Sequence, residues 1–576
     1  MVKIPKKNKK MIKDLKKILK KYNVDGYIIP KNDEFFSEYA YPNRLESISN
    51  FSGSAGLAII LKNKNFLFVD GRYTLQAKLQ SGKKFKVFEI PKINPGNVIF
   101  NSKNKIKLGF DPKLFTKSSL NTQFKPFCNL LPINVNLIDF LSKKIKKNKI
   151  KPFYTLEKRI SGESIDSKIK RLVKKIKKVK INNIFISAPE NVAWLLNLRG
   201  SDNPNSPIPN CRVILSNDKK IYFFSEKEKI NKIKNNINIK NIKFYDQNNF
   251  FTVLKKLKGS NFSIDDKSCS IYFENLILSK FKIVNRVDPC YLLKSIKNKT
   301  EIKNMEKAHI EDGVALTKFL YWIKNKKING LDELSVEKKL EKFRKERKNF
   351  LYPSFSTIAG SGPNGAIIHY RANKKTNRKL KSKDIFLCDS GGQYKYGTTD
   401  VTRTICFKKP NNRIKNIFTR VLKGHIAVAT ADLKKLNTGI KLDLKARYWL
   451  NKINLAYGHG TGHGVGYFLN VHEGPQAISK YNNVKLQNGM ILSNEPGYYE
   501  EEKFGIRIEN LVYIVKSKNK LFFKNLTLAP IDRDLINFKM LNNNEKKYLS
   551  NYHHYTYKKI SKFLKSKEKI WLKKLI

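Results

Sequence analysis

The chain has 576 residues and a formal charge of +69, from 116 lysines and arginines against 47 aspartates and glutamates. That length exceeds what one hydrophobic core organises, and a content of 40% hydrophobic and 11% aromatic residues excludes a disordered chain, so several globular domains are expected. The six cysteines are scattered without a Cys-x-x-Cys pair, no apolar segment follows the lysine-rich N-terminus, and no apolar run is long enough to span a bilayer. Together these exclude a disulfide scaffold, a zinc ribbon, a secretory signal and a membrane anchor, and they predict a cytoplasmic protein.

In chain order, residues 11–22 place apolar side chains at helical spacing, and residues 24–30 read as a turn into a buried strand. Two apolar runs, 57–61 and 66–69, flank a polar turn and predict a hairpin, after which Asp70-Gly-Arg-Tyr73 opens a helix through Gln80. A lysine-laden stretch at 143–151 reads as a linker. A similar succession then repeats: a helix at 165–178, a strand at 183–187, a short helix at 192–196 and a hairpin from 212–216 and 221–225. Long amphipathic helices are predicted at 301–324 and 334–347. The tail at 544–576 carries Tyr548, Tyr552, Tyr555, Ile560, Phe563, Leu564 and Trp571 at helical intervals, suiting a packing or dimer-contact helix. The predicted domains are 1–150, 151–293, 294–531 and a helical extension at 532–576.

The lysines run the whole length of the chain beside abundant asparagine and isoleucine, all residues with A/T-rich codons. With no RNP-like motif, zinc finger or basic heptad helix, the charge predicts no specific nucleic-acid partner.

The chemistry concentrates between Cys388 and Leu511. Asp389 and Asp400 flank Gly391-Gly-Gln-Tyr-Lys-Tyr-Gly397, and a hairpin folded about Tyr394 and Lys395 brings the two carboxylates opposite one another. Glu495 and Glu509 repeat the device around the turn at 496–504. In the second strand of that pair Arg507 and Glu509 share a face, which means either a site or a buried ion pair. His463 sits in Gly458-His-Gly-Thr-Gly-His-Gly, which has no Gly-x-Gly-x-x-Gly register and no Gly-Lys-Ser/Thr, so it does not cradle a phosphate. Four carboxylates and an imidazole are a hard ligand set suited to two ions of Mn2+, Co2+, Fe2+ or Zn2+. The nearby His369, His459 and His472 are placed to support an oxyanion or move protons.

These segments resemble the pita-bread metallopeptidases, and within them the three-domain Xaa-Pro aminopeptidases (aminopeptidase P). The likeness rests on Ser361-Gly-Pro-Asn-Gly-Ala-Ile-Ile-His369-Tyr, Asp389-Ser-Gly-Gly, Thr399-Asp400-Val-Thr-Arg-Thr, His459-Gly-Thr-Gly-His463-Gly, Val471-His472-Glu-Gly-Pro, Asn494-Glu495-Pro-Gly and Gly505-Ile-Arg-Ile-Glu509-Asn. It extends outside the site to Phe51-Ser-Gly-Ser-Ala-Gly56, Asp70-Gly-Arg-Tyr73, Ala193-Trp-Leu-Leu and Leu526-Thr-Leu-Ala-Pro-Ile531. The resemblance implies an α/β (α+β) protein: two creatinase-like N-terminal domains followed by a pita-bread catalytic domain.

It further implies metal ligands Asp389, Asp400, His463, Glu495 and Glu509, with Asp400 and Glu509 bridging two ions, usually Mn2+. His369 and His472 would contact substrate and support the tetrahedral intermediate, His459 would line the proline side, and Arg507 would orient a ligand carboxylate. Glu495 would take the proton of the attacking water. The implied reaction is hydrolysis of an N-terminal Xaa-Pro bond by metal-activated hydroxide, by a homodimer acting on peptides with proline second. The alternatives are a prolidase restricted to Xaa-Pro dipeptides and a non-catalytic pita-bread binding protein.

Overall fold

The computed structural model describes residues 5–39, 41–100, 105–142, 152–233 and 241–576. The linker expected at 143–151 lies outside them. The chain divides into two compact units, the first formed by Met1–Glu157 with Glu163–Tyr291 and the second by Lys158–Gly162 with Leu292–Ile576.

The first unit holds two six-stranded sheets built on one plan. Strands β1 (Gly26–Pro30), β2 (Leu57–Leu61), β3 (Asn65–Asp70), β4 (Lys86–Ile90), β5 (Lys107–Phe110) and β6 (Asn129–Pro132) lie in the order β4-β3-β2-β1-β5-β6. The second sheet contains β7 (Asn183–Ile186), β8 (Arg212–Ser216), β9 (Ile221–Ser225), β10 (Ile242–Asp246), β11 (Asn261–Ile264) and β12 (Lys282–Asn285). Its order is β10-β9-β8-β7-β11-β12, position for position the same as the first. Each central strand is a continuous apolar run because helices cover both faces. Tyr27, Ile28 and Ile29 are each 1% exposed, and burying an apolar side chain of that size stabilises by about 1.5–3 kcal/mol.

The expected first helix begins earlier, at α1 (Lys6–Leu19), with Met11, Ile12, Leu15 and Leu19 buried on one face. Its last residues tighten into a 3-10 turn, and Asn23 stops it in the left-handed region at φ 51°. Asp70 ends β3 and the hairpin, and the helix that follows the segment starts at Thr74, preceded by the Arg72–Asp70 ion pair at 2.8 Å. Helix α2 (Ile165–Lys178) has the predicted bounds and is capped by Ser164, whose side chain accepts from Ser167 N.

In the second unit the long helices α3 (Lys299–Asn325) and α4 (Glu333–Lys345) each start with a capping box, at Asn298/Glu301 and Asp332/Ser335. They are followed by β13 (Phe350–Pro353), β14 (Ile358–Ser361), β15 (Ile385–Ser390), β16 (Gly392–Tyr394), β17 (Gly397–Thr398) and β18 (Val401–Cys406). Helices α5 (Asn412–Ala429) and α6 (Gly439–Asn451) come next. After them lie β19 (Gly462–Gly464), β20 (Glu473–Ile478), β21 (Ile491–Asn494), β22 (Gly497–Glu500), β23 (Phe504–Arg507), β24 (Asn510–Ser517) and β25 (Lys520–Asn525).

Two long hairpins dominate this unit, and each breaks in the middle. β15 pairs with β18, but past Ser390 the hairpin bends and its tip, β16 with β17, joins β13 in a different sheet. β21 pairs with β24, whereas the tip, β22 with β23, forms its own two-stranded sheet. The second strand expected after the turn at 496–504 is therefore interrupted at Ile508 and Glu509. The tail forms two helices, α7 (Asn543–Ile560) and α8 (Ser566–Lys573), separated by a 3-10 turn. Both pack onto the second unit, with Leu549, Tyr552, Ile560 and Leu572 buried.

Candidate functional site

The carboxylates gather at the breaks of the two hairpins. Asp389 is the penultimate residue of β15, Asp400 fills the gap between β17 and β18, Glu495 directly follows β21, and Glu509 directly precedes β24. At a break the ladder stops dictating side-chain direction, so consecutive pleats no longer alternate faces and both arms can aim acids at one point. His463 enters from β19, which pairs with β21 through Gly464 and Leu492. Its Nε2 lies 3.5 Å from Asp400 Oδ2 and 3.4 Å from Glu495 Oε1. Donor atoms of Asp400, His463 and Glu509 all fall within 4.8 Å of one another.

The surroundings set the charges. Arg507 Nη2 donates to Asp389 Oδ2 at 2.6 Å, and Asp389 Oδ1 is buried without a hydrogen-bond partner. Burial pushes the Asp389 carboxyl up to about 7, against the pull of Arg507 and with added repulsion from Asp400 and Glu495. Glu509 is raised well above the usual carboxylate range, first by burial and then by Asp400, Glu495 and Asp389. Glu495 lies below its ordinary value: burial opposes this, but His463, His459 and Arg507 outweigh it. Burial alone would lower His463, yet Asp400 and Glu495 hold its imidazole at about 9.

Like charges about 4 Å apart repel by about 4 kcal/mol at an effective dielectric of about 20. Four acids in mutual range therefore outweigh what Arg507 and one imidazolium supply. The unpartnered Asp389 oxygen and the acids around His463 suit a multivalent cation. The all-oxygen and imidazole donor set fits hard divalent ions.

The remaining predicted residues surround this cluster unequally. The His472 ring lies 4.4 Å from that of His463, edge to face. His459 is locked: Nδ1 contacts Gly460 O at 2.7 Å, and Nε2 lies 2.9 Å from the Tyr499 hydroxyl, which also accepts from Arg507 Nη1 at 2.6 Å. That hydroxyl accepts from Arg507 and so donates to His459, leaving a neutral ring lowered to about 4 by burial. His369 is half-buried in the turn after the 3-10 segment Gly362–Ala366. Arg507 and Glu509 are not the isolated ion pair that their shared face permitted, because the guanidinium turns to Asp389.

Several supports were not singled out from the sequence. The Thr402 hydroxyl accepts from Arg507 Nε at 3.0 Å and donates to Glu509 Oε2 at 2.7 Å. Ser493 Oγ donates to Glu495 Oε1 at 2.9 Å. Glu333, 0% exposed, accepts from Ser361 N, Asn364 Nδ2, the Tyr370 hydroxyl and Arg378 N, clasping the loop that carries His369. Arg447, held by Asp443 at 2.7 Å, donates to Tyr457 O and His459 O and fixes the other histidine loop. Lys297 at 2.5 Å and Lys294 at 3.1 Å grip the buried carboxylate of Glu473, next to His472. Thr402 and Glu473 lie inside the recognised motifs, which was the available signal; the two lysines carried none.

A model described as Metallopeptidase family M24 matches residues 303–516, and one for the C-terminal region of peptidase M24 matches 519–576. Models of the Creatinase/Prolidase N-terminal domain match residues 11–138 and 145–301. The chain is 38% identical to the Laccaria bicolor protein named Probable Xaa-Pro aminopeptidase P, over 97% of this chain and 92% of that one. It is 35% identical to Xaa-Pro aminopeptidase 1 of Dictyostelium discoideum, over 94% and 92%.

Among solved structures, an X-prolyl aminopeptidase from Caenorhabditis elegans, described as a cytosolic enzyme with a di-nuclear active site, superposes with a TM-score of 0.92. The identity is 28%, and the match covers 99% of both chains. A prolidase from Pyrococcus furiosus superposes with a TM-score of 0.51 at 26% identity, covering 99% of itself but 62% of this chain.

Proposed function

The chain belongs to metallopeptidase family M24, and from that premise we propose that it is a metal-dependent aminopeptidase releasing the first residue of peptides with proline second. The observation that carries this reading is the gathering of Asp389, Asp400, Glu495 and Glu509 at the breaks of two hairpins, with His463 entering from β19. These five residues would hold two divalent ions, with Mn2+ the expected metal and Co2+ or Zn2+ the alternatives. Bound there, the ions supply Lewis acidity that lowers the pKa of water and polarises a carbonyl.

The protein's own groups do the rest. Glu495, whose Oε1 already accepts from Ser493, takes the proton of the attacking water and delivers it to the departing proline nitrogen. His472 and His369 donate to the oxygen of the scissile carbonyl as charge builds there. His459 cannot donate from Nε2, which accepts from Tyr499, so it presents a neutral ring face to the proline side. Arg507 keeps Asp389 aimed. A proline amide lacks the N–H that other peptidases engage, so the site must recognise its ring by shape.

The full-length match to the Caenorhabditis elegans enzyme, against 62% coverage by the Pyrococcus prolidase, favours an aminopeptidase over a dipeptidase. A cytoplasmic setting is supported by six cysteines that are all buried and unpaired, and by that relative's description as cytosolic. Among the described residues no helix is long and apolar enough to cross a membrane. Assembly as a homodimer belongs to this reading and is read from light scattering. The deciding assay offers Xaa-Pro-Xaa tripeptides beside Xaa-Pro dipeptides: cleavage of the tripeptides is expected, and cleavage of dipeptides alone would replace the reading with a prolidase.

A further inference from the structure

Arg403 follows Thr402 in β18 and is 1% exposed, yet no carboxylate meets its guanidinium in any ion pair of the described residues. Nε donates to Pro530 O at 2.9 Å, and Nη1 donates to Thr402 O at 2.8 Å and Glu509 O at 2.6 Å. Nη2 donates to Asn510 Oδ1 at 2.8 Å, Ala529 O at 2.8 Å and the Tyr552 hydroxyl at 2.9 Å. Five N–H groups thus meet six acceptors, and the buried charge is balanced by dipoles alone.

Glu509 is the residue that needs such a clamp. It lies in the gap between β23 and β24, where no ladder partner fixes the chain. Both its backbone groups go to β18: its N–H donates to Thr402 O at 3.2 Å and its carbonyl accepts from Arg403. Arg403 is in turn fixed from behind by α7, whose Tyr552 hydroxyl accepts from it and donates to Ala529 O at 2.7 Å. Helix α7 is firmly seated, by the Asn542/Glu545 capping box, by Lys423 on Glu545 at 2.5 Å, and by buried Leu549 and Ile560.

We infer that Arg403 and Tyr552 are positioning residues for Glu509, so that helix α7 forms the rear support of the metal centre. The inference rests on the reading of Glu509 as a metal ligand.

The test uses the full chain stripped of metal and measures Mn2+ affinity by titration calorimetry, with melting temperature and kinetics recorded alongside. Tyr552→Phe removes one hydroxyl and leaves the helix packing intact. It is expected to weaken Mn2+ binding about tenfold, the lower end for losing an outer support of a ligand, and to lower kcat with KM little changed. Leu572→Ala, buried in α8, is expected to lower the melting temperature while the folded protein keeps its Mn2+ affinity. Leu572→Val, a smaller cut at the same position, serves as the same control should Leu572→Ala not fold.

Wild-type Mn2+ affinity in Tyr552→Phe overturns the inference. So does an equal loss in the control variants, which would make the helix a general stabiliser. Glu509→Gln, measured in parallel, separates the two readings. Loss of one of two ions there supports the ligand role, and retention of both overturns it together with this inference.

Discussion

The two broken hairpins of the second unit each carry two carboxylates, but they are supported differently. In the first, β15 to β18, Asp389 is held by Arg507 and Asp400 faces His463, both contributed by later segments. In the second, β21 to β24, Glu495 is held by Ser493 of its own strand, whereas Glu509 takes its hydrogen bond from Thr402 of the first. The supports cross: Arg507 reaches from the second hairpin to the first, and Thr402 reaches back while also accepting from Arg507. Neither arm can present its acids alone, so the site is a joint property of both. The first unit also contains a repeated pattern, yet its two sheets bring together no comparable acid cluster among the described residues.

Breaking the cluster itself should have the largest effect. Asp400→Asn, which removes one charge at the first hairpin's gap, should lower peptide turnover by about 10³-fold, the several kcal/mol that metal stabilisation of a transition state supplies. Metal analysis of the same variant should find fewer ions per chain. Wild-type metal content with full turnover would remove the two-metal reading.

Breaking a crossing support comes next. Thr402→Val leaves Glu509 Oε2 and Arg507 Nε without their partner, and metal affinity should fall by about 10- to 100-fold. Ser493→Ala removes a support that crosses to neither hairpin, though its Oγ also accepts from His463 N at 2.9 Å, and should cost only a few-fold. If the two variants prove equal, the contrast between crossing and local support fails.

A smaller change is expected from loosening a histidine loop. Glu333→Gln keeps the shape but loses acceptors for the Tyr370 hydroxyl and Arg378 N. With His369 no longer fixed, kcat should fall about tenfold while Mn2+ affinity is unchanged. A drop in metal affinity would mean that this loop supports the cluster instead of the substrate.

The smallest effect concerns pH. Burial holds His425 down to about 3, and His459 and His553 to about 4. An unfolded histidine titrates near 6.5, so between about pH 6.5 and 4 the unfolded chain binds protons that the folded chain refuses. The stability these three histidines contribute is therefore full above about pH 6.5 and declines as pH falls through that window. His553 spans Ile531 N and Leu575 O in the C-terminal helices, far in sequence from either hairpin. His553→Gln should flatten the decline of melting temperature by roughly a third, and an unchanged slope would assign the acid sensitivity elsewhere.

The acids were legible because each sits in a short pattern whose meaning is local: a strand run, a turn rich in glycine, and a carboxylate where the run ends. Helix bounds were legible where one signal dominated, as with Ser164 ahead of the 165–178 periodicity. What stayed hidden depends on distance along the chain. Lys294 and Lys297 close on Glu473 across 176 residues or more, and Tyr552 meets Arg403 across 149. Nothing in the windows around those residues marks them as partners. The break at Glu509 was hidden for another reason: the alternation of Ile506, Arg507, Ile508 and Glu509 continues into it in sequence, while the chain changes sheets there.

The most direct test of the central claim is release of the first residue from an Xaa-Pro-Xaa tripeptide by chelator-treated protein, before and after Mn2+ is added back. The account predicts no release before addition, recovery after it, and no recovery in Asp400→Asn. Release by the chelated protein, or full recovery in that variant, would contradict it.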